Sequence, residues 1–352
     1  MKRVNHIFPL FVDFENLKRA HLESSKGKHH YRAVAKFEEN KDANLAELQT
    51  ELLFGTYTTG KYRTKTIEER GKQRLIYILP YRDRVVQRAL GFVVEPVVMR
   101  HLTADTHATI KDRGIHSALR QVCRYLNSDP AGTAYCLKID VHHYFPSIDH
   151  DIIKGQFRRL IKDKRILRII DNIIDSVPPD EGLPIGNYFS QLAANLYLSD
   201  FDHFVKEYLK VRYYIRYMDD MVFFASSAAE LRRVFRQADW YLTSRLHLSI
   251  KDNWQIFPLK ARPLDFVGYR TTPGNVILRK STFKRLRRRC LDVRKHCKYG
   301  EDLTYNQYCS VNSFKGWSMW GNDSTIRRKY YQPIQPVLSE FHKIQAERRV
   351  KG

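Results

Sequence analysis

The chain has 352 residues, 43% hydrophobic and 12% aromatic, which is enough to bury real cores and too apolar for a disordered polymer. Lys and Arg number 61 against 38 acidic residues, a formal net charge of +23 that a solvated fold does not need and a polyanionic partner explains, nucleic acid first. No apolar run is long enough to span a membrane, Asp13 interrupts the start too early for a signal peptide, and five cysteines without a CxxC pair give neither a disulfide framework nor a zinc site.

In chain order, Leu45, Leu48, Leu52 and Leu53 recur at helical spacing and predict a helix over 42–54. Residues 57–79 read as two extended segments around a charged turn at 68–73, and 83–99 as helical or mixed, broken near Pro96. Asp129-Pro130-Ala131-Gly132 is a turn signal, after which 134–141 reads as a short buried strand ending in Asp140. Residues 149–176 are helical until Pro178 and Pro179 stop them. A loop at 182–186 then precedes a long helix over 189–208. Strands at 213–218 and 221–225 flank Asp219-Asp220, a helix follows over 228–246, and 249–256 and 264–270 read as further strands. Beyond Ser281 the chain is helical and densely basic. This order predicts an α+β arrangement with helices on one face of an antiparallel sheet.

Asp is depleted in strands, and two adjacent ones repel, so Asp219-Asp220 fits a hairpin tip. For an isolated pair, a solvated turn suffices as an explanation. Asp140 ends another apolar strand, however, and if these strands are neighbours, three carboxylates converge and require a cation. Oxygen ligands suit Mg²⁺, and two ions about 4 Å apart hold the attacking and leaving oxygens of an in-line phosphoryl transfer. His142 and His143 read as polar or packing residues rather than ligands. Residues 279–295 carry nine Arg or Lys, with Phe283, Leu286, Cys290 and Val293 between them at helical spacing, so one face can pack while the others track phosphates.

Tyr217-Met218-Asp219-Asp220 resembles the YxDD motif of reverse transcriptases, and Asp140 with Phe145 is similar to their first palm motif. Lys72-Gln73-Arg74-Leu75-Ile76 and Asp83-Arg84-Val85-Val86-Gln87 resemble fingers blocks, as does Arg113-Gly114-Ile115-His116. Phe266-Val267-Gly268-Tyr269 looks like the hairpin that grips the primer end, and Glu15-Asn16-Leu17 and Gly316-Trp317 extend the likeness over nearly the whole chain. The resemblance implies a right-hand polymerase fold. Residues 1–55 would be an N-terminal helical extension, 56–133 fingers, 134–270 palm (about 150–190 partly fingers) and 271–352 thumb. It implies Asp140, Asp219 and Asp220 as ligands of two Mg²⁺ ions, with Mn²⁺ as an alternative. Nucleotide contacts are implied from Lys72, Arg74, Lys111 and Val141, and from Phe145, which crowds the sugar 2′ position. Ile185, Gly186, Gln191 and Lys251, the last near the lysine that protonates pyrophosphate, complete that set. Template–primer contacts are implied from Arg113, Gly268, Tyr269, Lys284, Arg285 and Arg288. A core aromatic at 145, a solvated basic turn at 72–74 and a surface lysine at 251 are the plainer alternatives. Ile110 stands where the family usually has an Arg, and Lys111 offers a cation from the neighbouring position.

In Leu183-Pro184-Ile185-Gly186-Asn187-Tyr188-Phe189-Ser190-Gln191, Ile185 replaces the usual Gln and Gln191 the usual Pro. That pattern resembles the reverse transcriptases of diversity-generating retroelements of bacteria and their phages. Ile185 offers no hydrogen bond to hold the base pair in register. The resemblance implies adenine-mutagenic cDNA synthesis from a template-repeat RNA for mutagenic retrohoming. Its partners would be template RNA, RNA–DNA duplex, dNTPs and a small basic pentameric accessory protein, in the cytoplasm. Nucleases acting on template or target are expected to be separate proteins. The alternatives are a retron or phage-defence reverse transcriptase and a non-catalytic basic RNA-binding scaffold.

Overall fold

The computed structural model describes residues 2–69, 72–178, 182–299 and 302–350. Four helices lead the chain: α1 (Phe8–Val12), α2 (Phe14–Ser25), α3 (Arg32–Glu39) and α4 (Lys41–Phe54). Asp13 caps α2 by accepting from the Asn16 amide, and α4 buries Leu45, Leu48 and Leu52 as their spacing requires. β1 (Arg63–Glu69) and β2 (Lys72–Ile78) pair antiparallel, with Arg63 opposite Ile78. Arg70 and Gly71, in the expected charged turn, lie outside the described residues. α5 (Tyr81–Met99) runs unbroken through Pro96, where a break was expected. Pro96 is exposed, so solvent can satisfy the carbonyl its missing N–H leaves free.

α6 (Ile115–Ser128) leads through the expected turn to β3 (Tyr135–Asp140). The single helix expected over 149–176 is two, α7 (His150–Leu160) and α8 (Lys164–Ile174). Between them the Val4 amide donates to Leu160 (2.8 Å) and the Lys162 amide to Val4 (2.7 Å). Asp163 caps α8 at the Arg165 amide and also accepts from the amides of Ile7 and Phe8, each at 3.0 Å. Pro179, the second of the expected stops, lies outside the described residues. The long helix expected over 189–208 breaks at Leu198 into α9 (Tyr188–Tyr197) and α10 (Ser199–His203), followed by a wide turn at Phe204–Tyr208.

β4 (Tyr213–Tyr217) and β5 (Asp220–Ala225) flank a two-residue turn, and α11 (Ala228–Leu246) follows with the expected bounds. The strand expected at 249–256 is mostly absent. Ile250 bridges Val141, and a turn at Asp252-Asn253, closed by the Trp254 amide on Lys251 (3.3 Å), delays β6 to Gln255–Pro258. The strand expected over 264–270 is a hairpin, β7 (Leu264–Phe266) and β8 (Tyr269–Thr272), with β9 (Asn275–Leu278) as its third strand. α12 (Lys280–Lys298), α13 (Tyr305–Ser318), α14 (Ser324–Ile326) and α15 (Gln335–Val350) end the chain.

The larger sheet has the order β4-β5-β3-β6, so the two strands carrying acidic residues lie side by side. The first of two compact units comprises Met1–Thr109, Lys138–Val222 and Arg232–Trp254, with α5 packed against α1, α2, α3 and α9. The second comprises Ile110–Leu137, Phe223–Leu231 and Gln255–Gly352. Its core gathers Tyr269, Leu286, Cys290, Val293, Val311 and Ile334. All five cysteines are free, and among the described residues no helix is long and apolar enough to cross a membrane.

Candidate active site

β3 alternates burial at its end: Ile139 is buried while Lys138 and Asp140 face out on one side. On the neighbouring hairpin, Met218 adopts a left-handed conformation (φ 58°), which turns the chain sharply before Asp219. The Asp219 carboxyl is thereby brought beside that of Asp140. Burial pushes Asp219 up, and the charge of Asp140 and the hydrogen bond with it push it further, to about 7; Lys251 pulls the other way. The Lys251 ammonium donates to Asp140 Oδ1 at 2.7 Å, and the Lys251 amide donates to the Asp140 carbonyl at 2.8 Å.

Asp220 also meets a cation. It is the first residue of β5, and its Oδ2 lies 3.2 Å from the ammonium of Lys138. Asp140 and Asp219 thus lie together, and Asp220 has Lys138 as a salt-bridge partner. Among the described residues no group of three or more His, Cys, Asp or Glu forms a ready ligand cluster. The donor chemistry still fits a hard divalent cation. Two neighbouring carboxylates, both half-buried, must share a proton or a cation to coexist.

Phe145 opens a short 3₁₀ turn, Phe145–Ser147, half-buried and edge-on to the buried Tyr144 ring at 5.7 Å. The Phe145 carbonyl accepts from the Leu183 amide (2.9 Å), and the Ile185 carbonyl accepts from the Tyr77 amide of β2 (3.3 Å). The 182–187 loop is thus strung between the Phe145 turn and β2. Gly186 has φ 109°, and a Cβ there would stand 3.3 Å from Ile76, so the glycine serves the turn and the close approach to β2. Ile185 and Gln191 are half-buried. Val141 is fully buried, which leaves only its backbone for any ligand. Lys72 and Arg74 lie in β2, opposite Glu69 and Ile67, but their side chains lie outside the described ones.

The remaining expected contacts belong to the second unit. Ile110 is buried and Lys111 exposed, so the two side chains point differently. Arg113 is half-buried, its amide donating to Ile110 at 3.0 Å. Tyr269 is held inside this unit. Its side chain is fully buried, stacked on Trp317 at 5.5 Å with its hydroxyl donating to the Trp317 carbonyl (2.8 Å). It ties the hairpin to Trp317. Gly268 (φ 92°) admits the Trp317 ring, which a Cβ would meet at 2.5 Å. α12 buries Leu286, Cys290 and Val293 and exposes Lys284, Arg285 and Arg288, as the spacing predicts.

Sequence reading passed over two cations and one buried ion pair. Lys138 follows the same strand alternation that places Asp140, so it is legible once the sheet face is known. Arg216 is fully buried, with its Nε and Nη2 on Asp202 at 2.8 and 2.6 Å. The available signal was an arginine inside the apolar strand Tyr213–Tyr217, which demands a buried carboxylate partner.

Residues 62–271 match the family described as Reverse transcriptase (RNA-dependent DNA polymerase). Among curated proteins, Protein YkfC of Escherichia coli K12 is 28% identical over 232 residues, 62% of this chain and 55% of that protein. The group II intron-encoded protein LtrA of Lactococcus lactis is 25% identical over 169 residues, 45% of this chain and 27% of LtrA. The chain thus spans about half the length of YkfC and about a quarter of LtrA. Among solved structures, apo telomerase from Candida tropicalis superposes with a TM-score of 0.50 at 14% identity, covering 83% of this chain and 59% of that one. Telomerase from Candida albicans in complex with a fragment of telomeric RNA gives 0.50 at 10% identity, covering 82% of this chain and 61% of that one. At these identities the likeness is one of fold, the α+β right-hand polymerase fold.

Proposed function

The chain belongs to the reverse transcriptase (RNA-dependent DNA polymerase) family, and from that premise we propose that it copies RNA into DNA with low fidelity, as a diversity-generating retroelement enzyme. The observation that carries the polymerase reading is the Asp140–Asp219 pair beside Lys251. In this reading Asp140 and Asp219, with Asp220 beside them, hold divalent ions, Mg²⁺ or Mn²⁺. Bound there, such ions would supply activation of the primer 3′-hydroxyl and neutralisation of the triphosphate. Lys251, its ammonium already on Asp140, is positioned to give a proton to departing pyrophosphate. Phe145 crowds the sugar, and the exposed cations of α12 grip the template–primer backbone, which needs charge rather than base reading. Residues 56–133, 134–270 and 271–352 serve as fingers, palm and thumb, and 1–55 as the N-terminal extension. The partners are template RNA, its DNA duplex and dNTPs, with the small basic accessory protein.

The low-fidelity part rests on Ile185. Its backbone is held from both sides, through Leu183 on Phe145 and through its own carbonyl on Tyr77, while its side chain is apolar. A glutamine on the same backbone would add one hydrogen-bonding group beside the base pair. Copying a defined RNA with wild-type and Ile185→Gln protein and sequencing the cDNA tests this. The variant is expected to make roughly three- to tenfold fewer errors opposite template adenines, the equivalent of one neutral hydrogen bond. An unaltered error spectrum removes Ile185 from the account. The similarity to LtrA favours a second reading, an intron-type reverse transcriptase. Wild-type cDNA without excess errors at adenines would select it.

A further inference from the structure

We infer that Arg216, buried beneath the Tyr217-Met218-Asp219-Asp220 hairpin, is a positioning residue that fixes the carboxylate turn from inside the fold. The inference rests on the active site proposed above. Arg216 is 0% exposed, and its guanidinium reaches in two directions. On one side Nε and Nη2 grip Asp202, itself fully buried, at 2.8 and 2.6 Å. On the other side Nη1 donates to the Met218 carbonyl at 3.0 Å and to Asn195 Oδ1 at 3.3 Å. Met218 is the residue whose left-handed backbone (φ 58°) sets the direction of Asp219, and a side-chain-bearing residue adopts that conformation at some cost. A hydrogen bond to its carbonyl holds the peptide that this strain would otherwise release.

The guanidinium is itself held. Asp202 accepts from the Tyr214 hydroxyl (2.7 Å) and the Thr106 hydroxyl (2.9 Å) in addition to Arg216. Asn195 of α9 offers its carbonyl to Nη2 (3.2 Å) and its amide nitrogen to the Ala108 carbonyl (2.8 Å). The Arg216 backbone is fastened as well, with its amide on Asp105 (2.9 Å) and its carbonyl on His107 (3.0 Å). A buried ion pair of this kind contributes little net stability compared with apolar residues of the same volume, so packing does not explain it. What an apolar side chain could not supply is a planar fork that binds a carboxylate on one edge and a turn carbonyl on the other.

The test uses two variants of the full chain in primer extension on a short RNA template. Arg216→Lys keeps one cation for Asp202 but cannot also reach the Met218 carbonyl. The double change Arg216→Met with Asp202→Leu removes the clamp and leaves no lone buried charge. Both are expected to melt cooperatively and to bind template–primer as the wild type does. Extension at saturating dNTP should fall about a hundredfold, with several-fold more Mg²⁺ needed for half-maximal rate, as expected for carboxylates displaced by a fraction of an ångström. Folded variants with wild-type rate and Mg²⁺ dependence overturn the inference. So does failure of both to fold, which would make Arg216 a fold-holding residue. Asp219→Ala run alongside separates the two readings. If it extends as well as wild type, or wild type does not extend, the proposed active site fails before Arg216 is judged.

Discussion

Asp219→Asn is expected to lose primer extension on the order of a hundred- to a thousandfold or more, the scale seen when one preorganised electrostatic group is removed from a reaction centre. The same variant is expected to melt higher than wild type in chelator at pH 8. Asp219 is pushed up to about 7, first by burial and then by Asp140. Its folded pKa thus lies above its unfolded value, so the folded state binds more protons between them, and stability falls as pH rises from about 4 to about 7. Above that window the wild type carries two repelling carboxylates, and the amide carries one. A gain of a few degrees is expected, the usual exchange of function for stability at a reaction centre. Differential scanning in chelator across that pH range checks the slope. A wild type whose melting temperature does not change from pH 5 to pH 8 would contradict it.

The second large effect concerns α12. Lys284, Arg285 and Arg288 are exposed, while Leu286, Cys290 and Val293 hold the helix in its core. Reversing the three charges to Glu should leave folding unchanged. Affinity for an RNA–DNA duplex should fall on the order of a hundredfold near physiological salt, and the slope of log affinity against log salt should flatten by roughly three. The loss should be equal for unrelated sequences, because backbone contacts carry no base information. Fluorescence anisotropy over a salt series measures both quantities. An unchanged slope would mean that α12 does not meet phosphates.

Local chemistry made much of this legible. The α12 stripe, the helix Ala228–Leu246 and the strands on either side of Asp219 follow from periodicity, which needs no knowledge of partners. What sequence did not reveal depends on residues far apart in the chain. The helix expected over 149–176 splits because Asp163 caps α8 while holding amides at Ile7 and Phe8, some 155 positions away. One miss is local: the strand expected at 249–256 yields to a turn at Asp252-Asn253, residue types that favour turns. At the site, the nearness of Asp140 to Asp219 depends on strand order, and the salt bridge of Asp220 to Lys138 was not foreseen. Strand alternation puts Lys138 within reach of that residue, and only pairing across β3 and β5 reveals it. The stacking of Tyr269 on Trp317 was also hidden, because it pairs residues 48 positions apart.

If Asp140 and Asp219 together hold a divalent cation, Mn²⁺ binding followed by electron paramagnetic resonance will show it directly. With a chain-terminated template–primer and matching dNTP present, wild type should remove free Mn²⁺ signal at concentrations where Asp219→Asn leaves it untouched. Identical binding curves for the two proteins would contradict the account.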